Sequence, residues 1–68
     1  MVRQQLIKAA KQLAEAEIQL HKTNVDVYLQ QVVGIGEPSD FIETIQKELD
    51  AMAVANDRLE MLEKYFNE

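Results

Sequence analysis

Apolar residues recur every seven positions through the first half of the chain. Leu6, Leu13, Leu20 and Val27 form one row, and Ile18, Val25 and Val32 form a second. At about 100° per residue, the two rows bound an apolar arc roughly half a circumference wide. Lys8, Lys11, Gln12, Glu15, Gln19, Lys22, Asp26 and Gln30 fall opposite. This periodicity predicts an amphipathic helix over about residues 2–33, with an arc wider than one partner helix requires. In the second half Phe41, Ile45, Leu49, Met52, Asn56, Leu59 and Phe66 follow three-and-four spacing, supported by Ile42, Ala53, Ala55 and Leu62. That stripe predicts a second helix over about residues 39–66.

One segment interrupts the pattern. Gly34-Ile35-Gly36-Glu37-Pro38 holds both glycines and the single proline of the chain. Gly34 suits the left-handed residue just past a helix end, and Ile35 can fold back as the apolar contact of such a cap. Pro38 is tolerated in a first helical turn, Ser39 or Asp40 can cap, and Asp40 and Glu43 suit the positive end of the helix dipole. So short a connection, a turn over residues 34–38, forces the helices to run antiparallel. The expected fold is therefore all-α, a single antiparallel αα-hairpin spanning residues 1–68. Folding at the glycines pairs positions whose numbers sum to about 72. This places Leu13 near Leu59, Leu20 near Met52, Val27 near Ile45 and Leu6 near Phe66.

Size makes such a hairpin marginal by itself. A chain of 68 residues buries a small share of its surface and usually needs a staple. It has no cysteine for a disulfide, and a lone histidine, His21, is a poor start for a zinc site. Self-association into a homodimeric antiparallel four-helix bundle is the expected remedy, because it covers the surplus arc. The positions assigned to an oligomer or partner interface are Leu6, Leu13, Ile18, Leu20, Val25, Val27, Val32, Ile45, Leu49, Met52, Leu59 and Phe66.

Charge narrows the partners. Residues 1–34 carry four basic and three acidic side chains, whereas residues 35–68 carry three basic and nine acidic ones. The acidic second half repels phosphate, so neither nucleic acid nor an anionic membrane is an expected partner, and a basic protein is. No apolar run approaches the ~18 residues of a membrane span, and the opening residues lack a signal-peptide core, so the cytoplasm is the expected compartment. Glu43, Asp50 and Asp57 repeat every seven residues as an acidic outer face. The bland reading is a solvated helix surface; the sharper one is a grip on a basic partner.

Within the helix-one arc lies a polar row, Glu17, His21, Asn24 and Gln31, with Tyr28 among them, and Asn56 sits in the middle of the helix-two stripe. Unpartnered burial of such groups is unfavourable. One reading is a hydrogen-bonded core layer of Glu17, His21, Asn24 and Asn56 that sets register, with Glu17 and His21 paired at i, i+4. A second leaves the row partly solvated between two apolar seams. A third is a metal or catalytic site, but the i, i+3 Glu/His pattern of di-iron bundles is absent. Gly34-Ile35-Gly36 is not a phosphate loop, since no strand precedes it and the lysine is missing. Gln46-Lys47-Glu48-Leu49-Asp50 is similar to the Ser-x-x-Leu-Asp signature of a family of aspartyl-phosphate phosphatases that are also helical hairpins. Gln46 stands at the serine position, and no activity is carried over. The expectation is a non-enzymatic protein-interaction module without cofactor. The alternative is a subunit, chaperone or inhibitor whose partner covers the helix-one arc.

Overall fold

The computed structural model describes residues 2–30 and 38–67. They form two helices, α1 (Val2–Gln30) and α2 (Pro38–Tyr65), with no strand among them. The expected helix end at 31–33, with Gln31 and Val32, and the Gly34-Ile35-Gly36-Glu37 turn lie outside the described residues. Helix formation follows from composition. α1 contains neither glycine nor proline and is rich in Ala, Leu, Gln and Lys, all strong helix formers. α2 is described from Pro38, within the expected range for its start, with Asp40 in its first turn and Lys64 in its last, so both charges suit the helix dipole. α1 has no acidic residue in its first turn and no basic one in its last. Thr23 and Thr44 return their hydroxyls to the carbonyls of Gln19 and Asp40, which keeps two β-branched polar residues compatible with helix.

The helices pack along their length as an antiparallel hairpin. Lys11 reaches Asn67 at one end, and His21 reaches Glu48 nearer the other. The molecule measures 53 × 15 × 11 Å, with a radius of gyration of 15.7 Å. A compact 68-residue domain would have about 11 Å, so this is a rod two helices thick, without room for an interior.

Burial confirms this. Among the described residues just Ala14, 3% exposed, and Ala55, 0% exposed, are buried. They belong to an inner seam of half-buried residues: Ile7, Ala10, Glu17, Ile18, His21, Asn24, Val25 and Tyr28 from α1, and Phe41, Thr44, Ile45, Glu48, Ala51, Met52, Leu59 and Leu62 from α2. The middle of that seam is small and polar. Its alanines let the backbones approach closely, while the large side chains stand at its margins.

The leucine row does not pair with α2 as its spacing leads one to expect. Leu6, Leu13, Leu20 and Val27 are 65, 61, 55 and 50% exposed. The α1 positions that face α2 are one residue further on, at Ile7, Ala14, His21 and Tyr28. One residue is about 100° of rotation. The polar row at the centre of the arc, and not its leucine edge, is thus what meets α2.

Candidate protein-interaction surface

Because the seam runs up the middle of the α1 arc, the two apolar margins end up on opposite faces of the hairpin. The leucine row lies on one face. Antiparallel geometry puts Val54 and Met61 of α2 on that same side, and a shallow groove lined by Ala10, Leu13, Glu17, Arg58, Met61 and Leu62 runs between them. On the other face Ile18 and Val25 join Ile45, Met52 and Leu59 at the seam edge, with exposed Ile42, Leu49 and Phe66 beyond. Each face carries apolar side chains of the kind that stable monomers cover. The chain presents 5422 Å² of surface, against about 4,400 Å² for a compact monomer of its mass.

The polar residues inside the seam form a small cluster around a residue the sequence reading passed over. Glu48 accepts a hydrogen bond from His21 Nδ1 at 2.7 Å through Oε2, and another from Asn24 Nδ2 at 2.9 Å through Oε1. The His21 and Glu48 side chains retain 23 and 18% exposure, so the cluster is partly desolvated and touches solvent at its edge. The hydrogen bond from His21 is the largest influence on the Glu48 carboxyl, and with that from Asn24 and the His21 charge it holds the pKa below its ordinary value, against the opposing effect of desolvation.

The expected i, i+4 pair of Glu17 with His21 is not formed. Glu17 approaches Arg58 across the seam at 3.7 Å. Asn56 is exposed and donates to Glu60 on its own helix at 3.3 Å. The structure therefore brings His21 and Asn24 together, leaves Glu17 half-buried beside Arg58, and places Asn56 outside the seam. Glu48 was missed because its neighbour Leu49 fitted the apolar stripe better. The pairing rule itself held the signal, since positions summing to about 72 set Asn24 across from Glu48.

Chemically the cluster offers one carboxylate, one imidazole and one amide, the last two each bonded to the carboxylate. Among the described residues no three His, Asp or Glu side chains converge as a metal site requires. Nor is any helix there long and apolar enough to cross a membrane. Glu43, Asp50 and Asp57 are exposed on α2, and Asp57 borders the groove on the leucine face. Compared with known proteins, the chain matches no protein family, no curated protein and no solved structure.

Proposed function

We propose that the chain is a non-enzymatic protein-interaction module, a helical hairpin that becomes a stable fold by pairing with a second copy and then binds another protein. The observation that carries this reading is the burial of two alanines alone among the described residues, while every leucine of the α1 row stays half or more exposed. At roughly 25 cal/mol per Å² of apolar surface covered, the exposed rows hold stabilisation that the hairpin by itself leaves uncollected. The engaged state of His21, Asn24 and Glu48 supports a structural role for the polar cluster, setting which residues of the two helices meet. The negative balance of the chain, −5, favours a basic protein partner over nucleic acid or an anionic membrane, in the cytoplasm.

The apolar edge of α2 on the opposite face favours a second reading, in which a different chain covers the hairpin and makes it a subunit, chaperone or inhibitor. Light scattering combined with circular-dichroism melts at two concentrations separates the two. Self-association predicts a helical dimer whose melting temperature rises with concentration. A poorly helical monomer would favour the hetero-complex. A well-folded monomer with concentration-independent melting would overturn both.

A further inference from the structure

One residue out of step with the inner seam, α1 carries a second three-and-four row: Leu6, Ala9, Leu13, Ala16, Leu20, Thr23, Val27 and Gln30. Every member is exposed and none is charged, in a chain whose residues are 28% charged. At about 100° per residue, this outer row stands nearly at right angles to the direction of α2. On α2 the matching row, again one residue out of step, reads Asp40, Glu43, Lys47, Asp50, Val54, Asp57, Met61 and Lys64, all exposed. The two rows share the leucine face. A right-angled corner at both helices is the cross-section of a square four-helix bundle.

We infer that the outer row of α1 is the seat of a second copy, whose own α1 lies antiparallel across it about a two-fold axis level with Ile18, so that α2 faces α2 and the bundle closes. This rests on the self-association reading above and specifies its face, direction and register.

Direction follows from side-chain volume. The row alternates large and small residues. Antiparallel helices set Leu20 of one protomer against Ala16 of its partner, Leu13 against Thr23 and Val27 against Ala9, so the central layers each hold one large and one small side chain. Parallel helices would stack Leu13 on Leu13 and Ala16 on Ala16, alternating crowded layers with voids that close-packed interiors exclude.

Register follows from charge. Large-on-small pairing is satisfied with the axis at Ile18 or one half-heptad earlier, between Ala14 and Glu15. The His21–Glu48 and Asn24–Glu48 bonds set Ile18 level with residues 51–54 of α2. An axis there places Lys47 of one protomer opposite Asp57 of its partner, and Asp40 opposite Lys64. The earlier axis would set Lys47 against Lys64, a like-charge contact. Size agrees as well. Two separate chains present about 10,800 Å² (twice 5422 Å²), against roughly 7,200 Å² for a compact body of twice the mass, and the difference of about 3,600 Å² is in the range of obligate dimer interfaces.

The test is a pair of single-cysteine variants, Gln5→Cys and Gln19→Cys, in a chain that has no other cysteine. Each is nitroxide-labelled and its inter-label distance read by pulsed dipolar spectroscopy. With the axis at Ile18, the labels at 19 are offset along the bundle by about 3 Å and those at 5 by about 39 Å, at 1.5 Å per residue. Equal short distances at both sites would mean parallel helices, and offsets of about 14 and 29 Å would mean the earlier axis; either overturns the inference and leaves self-association standing. The double variant Leu13→Glu, Leu20→Glu should raise the dimer dissociation constant on the order of 100-fold or more, with Leu49→Glu on the opposite face leaving it nearly unchanged. The reverse ranking would place the second copy on the other face. Should the glutamate variants unfold, Lys47→Glu weakens the dimer and adding Asp57→Lys restores it; no rescue rejects the register. A monomeric unsubstituted chain overturns both the inference and the self-association reading.

Discussion

Two rows of side chains one residue apart on the same helix differ in almost every respect. The inner row, Ile7, Ala10, Ala14, Glu17, His21, Asn24 and Tyr28, meets α2 and contains the one buried residue of α1. The outer row, with Leu6, Leu13, Leu20 and Val27, carries the stronger hydrophobic signal and is left in solvent. The middle of the hairpin is thus closed by small and polar residues while the leucine row of α1 faces away. The inner row supplies geometry, through close approach and a hydrogen-bonded cluster. The outer row holds free energy that a lone chain does not collect.

Overfilling the inner row is the strongest way to break that division. Ala55→Leu puts a large side chain at the fully buried position of the seam, and should destabilise the hairpin by about 1–3 kcal/mol at every protein concentration in urea melts. Leu13→Ala probes the outer row. In dilute solution, where chains are separate, its effect should stay within about 0.5 kcal/mol, as for other exposed positions. It should grow as concentration promotes association. Equal costs for both substitutions in dilute solution would erase the distinction between the rows.

Within the inner row, Glu48→Ala removes the acceptor shared by His21 and Asn24, leaving two partly desolvated donors without their partner. It should lower the melting temperature more than Asn56→Ala, which loses one exposed bond to Glu60. An Asn56→Ala variant that proves the less stable would move the polar layer back to where the sequence suggested it.

The smallest expected effect is in pH. The folded Glu48 carboxyl is held below its ordinary value, chiefly by the hydrogen bond from His21. Its contribution is therefore complete above the unfolded carboxylate pKa and is lost as pH falls through the lower folded value. Denaturation midpoints followed from neutral into acidic solution should show that loss, and Glu48→Gln should flatten it. A variant with the same acid slope as the parent would assign the slope to other carboxylates.

The two-helix plan was legible because period, breaks and caps are local properties. Seven-residue spacing in Leu6 to Val27 and the segment around Gly34 required no knowledge of the partner element. The polar cluster was half legible. His21 and Asn24 stand out as polar residues on an apolar arc, whereas the spacing of Glu48 carries no such signal, because its role depends on which residue lies across the seam. Glu17 and Asn56 looked equivalent to the others in spacing. They differ because Arg58 is near the first and Glu60 is one turn from the second.

By itself the sequence determined two amphipathic helices, an antiparallel hairpin and more apolar surface than two helices can cover, since these follow from spacing and composition. Only the tertiary structure decided which row of α1 faces α2. A rotation of one residue exchanges the leucine row for the alanine and histidine row at little change in local helical energy. What separates the two is contact across the seam: the close fit allowed by Ala14 and Ala55, and the bonds of Glu48 to His21 and Asn24.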